Sequence, residues 1–371
     1  MNFLDYKVIN QQPIDSIENN EKYLRHLKLT GRHGYYSQGY FGENAIVAVV
    51  DTGVDPNHPE LKGKVIDMLN YSGYGKGLDD NFHGTWCASA IAGTNVGVAP
   101  KAKIVSVKVL DAMGGGSSAN TVFTNISKAL EDLALWTKNG KRINVISMSL
   151  STKQGTLSSI VDKRFHNAIK NLTDVGIAVV CSAGNSGKVE DRLPACYQEP
   201  ITVSAVDIDE LKPASFITQN KEVDLTQCGV NMLGAWKDGS YAVLSGTSMS
   251  TPLVAGISCL LVDKFYQLFK TNIPEEVLYW TLKLMTKNID IKGVDMKSGA
   301  GFCSLQPIVM DLYTRNGDKY MTNNQKRIDL LAPVSVVPPG VTSLPSRVYI
   351  EDCFGGDVAW SEETKFARFR V

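Results

Sequence analysis

The sequence lacks a net charge, with 38 Lys and Arg offsetting 38 Asp and Glu over 371 residues, and its pI lies near 6.9. It also lacks any long basic run, so it carries no footprint for nucleic acid or an anionic membrane surface. No apolar run approaches the roughly 18 residues that cross a bilayer. The first residues, MNFLDYKVINQQPIDSIENNEKYL, are polar and mixed in charge, without the apolar centre of a secretory signal. A cytoplasmic protein with no membrane and no nucleic-acid partner is expected. The seven cysteines (87, 181, 196, 228, 259, 303 and 353) form no CxxC pair and are odd in number. That argues against a zinc ribbon or a disulfide framework and for buried, reduced thiols. There is no internal repeat. With 32 Gly and 14 Pro, collagen-like, low-complexity and disordered classes also fall away.

What is present is an alternation of short β-branched runs with longer segments of helical period, the signature of a parallel sheet covered by helices. Strands are predicted at 45–50, 103–110, 143–150, 177–181 and 201–206, and helices at 85–92, 120–138, 158–174, 251–269 and 274–286. The near-continuous apolar strands suit burial on both faces. Two flanks differ. Residues 1–30 are polar, and from 313 the chain runs through TRNGDKYMTNNQKR and APVSVVPPGVTSLPSR to short strand-like pieces such as 347–350. Pro338, Pro339 and Gly340 break any element there. The expected division is 1–30, 31–312 and 313–371, the last a small β-rich extension.

Four segments can carry chemistry. The first strand ends in Asp51-Thr52-Gly53, a carboxylate at the carboxyl edge of a parallel sheet, where open α/β folds build their sites. A single Asp-Thr-Gly in so long a chain disfavours an aspartic protease, which needs two; alone, it also fits an Asx-turn. His83-Gly84-Thr85 opens a helix of small residues, and the helix dipole biases the ring toward the neutral form that a general base needs. In Leu244 to Pro252, Ser248 lies at the start of an apolar helix whose N–H groups suit a developing oxyanion, although a plain helix cap explains a serine there as well. Strand 177–181 runs into Ser182-Ala183-Gly184-Asn185-Ser186-Gly187, whose Asn amide can donate to an oxyanion. His58, in turn chemistry, reads as structural, and His26, His33 and His166 have no partner motif.

Together DTGVD, HGT, SAGNSG and GTSMSTP resemble the signature segments of the subtilisin-like serine proteases, the subtilases, over about residues 35–312. The resemblance implies a three-layer α/β/α fold with a mainly parallel central sheet, in the layout of the intracellular branch. It implies an Asp51–His83–Ser248 triad acting through an acyl-enzyme, with Asn185 and the Ser248 N–H as oxyanion hole. Peptide substrate would lie as an added strand between Gly114, Gly115 and Gly116 on one side and Ser149, Leu150 and Ser151 on the other. The P1 pocket would be lined by 149–152 and by Ala183, Gly184 and Asn185. Ser186, where many relatives carry an acidic residue, gives no reason to expect a basic P1 side chain; an apolar or broad preference is expected. Leu253, Trp86, Ser89, Ser151 and Thr152 depart from the family pattern without removing a triad member. Thr94 to Gly97 is shorter than the calcium-binding loop of many relatives, so the strong calcium site is expected to be absent; no cofactor is expected to be required, and a structural calcium ion is left open. The N-terminal segment, within residues 1–20, is expected to lie across the site as an autoinhibitor, although the usual tetrapeptide is not recognisable around Tyr6-Lys7-Val8-Ile9. A homodimer is left open. The competing reading is a binding module that has lost catalysis, which retention of all four residues disfavours.

Overall fold

The computed structural model describes residues 3–4, 7–8, 17–18, 20–75, 77–289 and 293–305, together with four short strands beyond them. The chain divides into two units, Met1–Ile308 and Val309–Val371. Within the second, the described residues form two antiparallel pairs, Leu312–Tyr313 with Lys319–Tyr320 and Asp357–Ser361 with Phe366–Arg370. Pro338 to Gly340 and 347–350 lie outside the described residues, as do Tyr6, Ile9 and Cys353.

The first unit contains strands β1 (Lys7–Val8), β2 (Ile46–Asp51), β3 (Val65–Asn70), β4 (Lys103–Lys108), β5 (Val145–Met148), β6 (Ala178–Ser182), β7 (Ile201–Asp207), β8 (Leu225–Cys228), β9 (Met232–Ala235), β10 (Tyr241–Ser245), β11 (Thr286–Lys287) and β12 (Phe302–Cys303). Its main helices are α1 (His83–Ala92), α2 (Ala119–Lys138), α3 (Ser159–Asp174), α4 (Thr247–Phe269) and α5 (Glu275–Leu284). The central sheet runs β11-β12-β8-β7-β6-β5-β2-β4-β3, parallel from β12 to β3. The chain moves from β2 to β4 on one side and then to β5 on the other. The switch therefore falls at β2, and the crevice that open α/β sheets use for ligands lies beyond its carboxyl end.

Period-two alternation splits the strands between two layers of helix. Ala48, Val50, Val105, Val107, Ile146, Met148 and Val179 pack with Phe123, Ile126, Leu130, Leu133, Phe165 and Ile169 of α2 and α3. On the other side α4 packs with α1 and along β5 to β8. The result is the three-layer α/β/α arrangement. Asp263 near the end of α4 is fully buried, and its carboxylate accepts the Phe41 and Gly42 N–H groups at 3.0 and 2.8 Å, tying α4 to the lead-in of β2.

Three differences from the sequence expectation are physical. The edge strand β3 has no apolar run because most of it is half-buried or exposed. β9 and β10 form an antiparallel hairpin with β1 on its other edge, outside the main sheet. α4 begins at Thr247 rather than at 251, because its first turn is polar and Pro252 sits inside the helix. By length and composition α4 is also apolar enough to cross a membrane, contrary to the expectation that no such run exists. Most of its apolar window is buried, as befits the central helix of a core.

Candidate active site

Each motif lies at the mouth of the crevice because the sheet delivers it there. Asp51 is the last residue of β2, and Thr52 turns the chain toward α1. Gly84 permits close approach of α1, since a Cβ there would lie 2.1 Å from the Gly53 carbonyl oxygen. His83 opens α1 and is fully buried. Its Nδ1 faces both carboxylate oxygens of Asp51, at 2.9 and 3.0 Å. Burial alone favours the neutral ring, but the Asp51 carboxylate outweighs it and raises the His83 pKa well above its ordinary 6.5.

Ser248 is the second residue of α4, with the helix N-terminus around it and 2% of its surface exposed. It does not cap the helix; Gly246 holds that position without a side-chain bond. Pro252 has no N–H to give the Ser248 carbonyl four residues earlier. The Ser149 hydroxyl donates to that carbonyl at 3.1 Å and the Cys87 thiol at 3.7 Å. The Ser248 hydroxyl donates to the Ser149 carbonyl at 3.3 Å. Cys87, one helical turn beyond His83, also lies 3.8 Å from its Nδ1, so one thiol touches both the histidine and the serine residue. Burial raises the Cys87 pKa and keeps the sulfur protonated.

Asn185 lies on the turn after β6, where its Oδ1 accepts the Thr247 N–H at 2.8 Å. That bond settles which end of the amide carries the donors. Gly184 donates to the Thr247 hydroxyl at 3.1 Å, and the Ala183 N–H goes to the Val203 carbonyl at 3.0 Å. Ala183 and Gly184 thus spend these N–H groups on anchoring the turn. Gly114 to Gly116 follow β4 in a tight loop held by Asp111, whose Oδ1 accepts the Met113 and Gly115 N–H groups at 2.9 Å each. Ser149 to Ser151 follow β5. Phe3 joins the two segments: its N–H donates to the Gly114 carbonyl at 2.8 Å, and its carbonyl accepts the Ser151 N–H at 3.1 Å. Its ring is buried, edge-on to Phe123 with centroids 5.4 Å apart.

Residues 42–301 match the Subtilase family. The chain belongs to that family. This subtilase is 33% identical to an intracellular serine protease of Paenibacillus polymyxa over 282 residues, 72% of this chain and 81% of that one. It is 32% identical to the major intracellular serine protease of Bacillus subtilis (strain 168) over 313 residues, 80% and 91% of the two chains. With thermitase of Thermoactinomyces vulgaris it shares 36% over 230 residues, 60% and 76% of the chains. It is a hydrolase of the serine endopeptidase class.

The departures from the family pattern have visible partners. The Trp86 indole donates to the Ala242 carbonyl at 3.1 Å, and the Ser89 hydroxyl accepts the Ala235 N–H at 2.9 Å, so both tie α1 to the β9–β10 hairpin. Leu253 is wholly buried. Five of the cysteines, at 87, 181, 228, 259 and 303, are buried and free, while Cys196 is only half-buried.

Sequence reasoning passed over Asp79. Its carboxylate accepts the Thr52 hydroxyl at 2.8 Å, the Asn81 and Phe82 N–H groups at 3.0 and 2.8 Å, and the Thr85 N–H and hydroxyl at 2.8 and 2.6 Å. Phe82 sits at φ 80°, a left-handed conformation uncommon for a bulky residue, and Asp79 holds it there. Burial pushes the Asp79 carboxyl upward against these bonds. Asp79→Ala strands several buried donors in the turn that presents His83. It is expected to cost on the order of 3 kcal/mol, read from the denaturant midpoint.

Proposed function

We propose that this subtilase cleaves peptide bonds with Ser248 as nucleophile, His83 as its base and then as acid to the leaving amine, and Asp51 holding the imidazole in one tautomer. The observation that carries the reading is the two-oxygen contact of Asp51 with His83 Nδ1, which leaves Nε2 as the nitrogen for proton transfer. Asp51, His83 and Cys87 offer atoms within 4.8 Å of one another that could hold a metal, but Nδ1 already belongs to the carboxylate bond. Asn185 and the Ser248 N–H form the oxyanion hole. A fluorophosphonate probe tests this. It should label Ser248, with labelling lost in Ser248→Ala and strongly reduced in His83→Ala; no labelling of folded protein would instead indicate a module without catalysis.

Substrate adds as a strand between 114–116 and 149–151, main-chain bonds supplying affinity without reading sequence. Phe3 supports this, because its backbone makes such bonds to both segments. Beyond it, β1 pairs antiparallel with β10, Lys7 opposite Ser245, three residues before the nucleophile, and Val8 opposite Leu244. At Phe3 the N-terminal segment thus takes the strand position assigned to substrate, and we read the segment as an autoinhibitor removed on activation. Deleting residues 1–20 should raise the initial rate on a peptide substrate severalfold; no gain over the full chain would refute the reading.

Calcium is not required in this reading. Glu60 is wholly buried, and its carboxylate accepts the Asn95 N–H and side-chain amide at 2.7 and 2.9 Å and the Tyr241 hydroxyl at 3.0 Å. The short turn at 94–97 thus satisfies the carboxylate with donors of its own. EDTA is expected to leave Tm unchanged; a fall of several degrees would show a bound structural ion. Two relatives named as intracellular proteases support a cytoplasmic site of action.

A further inference from the structure

One charged side chain reaches the two walls assigned to the P1 pocket. Arg192 lies opposite Lys153 in a short antiparallel pairing, which brings the 190–193 segment beside the end of the substrate strand. Its Nε donates to the Ser151 hydroxyl at 2.9 Å, the first wall. Its stem lies against Gly184 on the second: a Cβ on Gly184 would come 2.6 Å from Arg192 Cδ and 2.9 Å from Nε. Gly184, at φ 99°, thus leaves open the space that the arginine fills. The Arg192 side chain is only 17% exposed.

The charges around it do not cancel. Nη1 pairs with Glu190 at 3.1 Å, and the same carboxylate faces Lys188 at 3.1 Å and Lys153 at 3.7 Å. Three cations share the half-buried Glu190 carboxylate, and with the exposed Asp191 counted they still outnumber the carboxylates. Glu190 engages one arm of the guanidinium, and a planar guanidinium can bind a second carboxylate along another edge. We propose that Arg192 makes this pocket selective for an acidic P1 side chain, glutamate above all, in place of the apolar or broad preference expected from Ser186. Glu190 then keeps the arginine paired when the pocket is empty, which avoids a buried lone charge.

The inference rests on the protease reading, and one experiment separates the two. Four peptides identical except for Glu, Gln, Leu or Lys at P1 are compared by kcat/KM with the full chain at its steady activity, normalised to fluorophosphonate-labelled Ser248. Glu should exceed its isostere Gln by about tenfold and Lys should be poorest. Arg192→Gln should remove that Glu/Gln preference and Arg192→Lys should retain part of it. Glu190→Gln, which withdraws the competing carboxylate, should raise it; this variant and the wild-type ratio decide the matter if Arg192→Gln fails to fold. A wild-type ratio at or below one, or one that neither Arg192→Gln nor Glu190→Gln changes, overturns the proposal while labelling at Ser248 still stands. Absence of labelling in the wild type overturns the protease reading itself.

Discussion

Ser248→Ala is expected to lower kcat by about 10⁴- to 10⁶-fold, the range for triads of this type, with KM little changed. The hydroxyl is the one atom of the site that would form a bond to substrate, and the strand contacts at 114–116 and 149–151 do not depend on it. His83→Ala should cost about as much, and the double variant little more than either, because the two act as a unit. Asp51→Asn keeps the shape but removes the charge facing Nδ1, so a smaller loss of about 10⁴-fold is expected. It should also change the pH profile. Asp51 raises the His83 pKa, so kcat/KM falls as pH drops through that high value and the ring gains its proton. Without the carboxylate the fully buried ring is governed by desolvation, and the acid limb should move to lower pH. Activity assays and pH profiles on the unlabelled wild-type and variant proteins measure both effects. A single variant of Ser248 that retained turnover within tenfold would remove the proposed mechanism, because the neighbouring Thr247 hydroxyl at the same helix N-terminus is engaged by the Gly184 N–H.

The parts of the fold visible in the sequence are those where one physical cause acts alone. Strands β2, β4, β5, β6 and β7 are buried on both faces, so their apolar runs announce them, and the residue leaving each run is placed by the sheet. That is why Asp51 and Asn185 could be located, as could the loops after β4 and β5. Where two causes compete, the local pattern misleads. Pro252 reads as a residue of a helix's first turn, the position that tolerates it best, yet α4 starts at Thr247 and uses the missing N–H to expose the Ser248 carbonyl to Ser149 and Cys87. β3 has no apolar signal because an edge strand needs none. Cys87 looks like packing at the level of sequence; only its spacing of four residues from His83 hinted that it shares the same helix face. Asp79 and Arg192 carried no local signal at all, because their partners at Thr52, Thr85, Ser151 and Gly184 are set by tertiary structure. Phe3 belongs with them, since its role depends on which strand edges remain unpaired.

Asn185→Ala is expected to lower kcat by about 10² to 10³ with little change in KM, because the side chain would meet charge that exists only as the tetrahedral intermediate forms. The structure makes this more than an appeal to residue type. The Thr247 N–H holds Oδ1 at 2.8 Å, so the amide cannot turn its oxygen toward a developing negative charge without giving up that bond. The same bond joins the amide to the residue before Ser248, so the two proposed donors move as one piece. Two variants separate orientation from donation. Asn185→Asp keeps an oxygen for Thr247 but replaces the donor with a charge of the sign that the intermediate carries, and should lose at least as much activity as Asn185→Ala. Thr247→Pro would remove the N–H but break the first turn of α4, so the anchor is better tested through Gly184, whose N–H reaches the Thr247 hydroxyl. Thr247→Val should loosen the turn and cost an intermediate loss of about tenfold in kcat. If Asn185→Ala instead raised KM with kcat unchanged, the amide would be binding ground-state substrate, and the oxyanion role would pass to backbone donors alone.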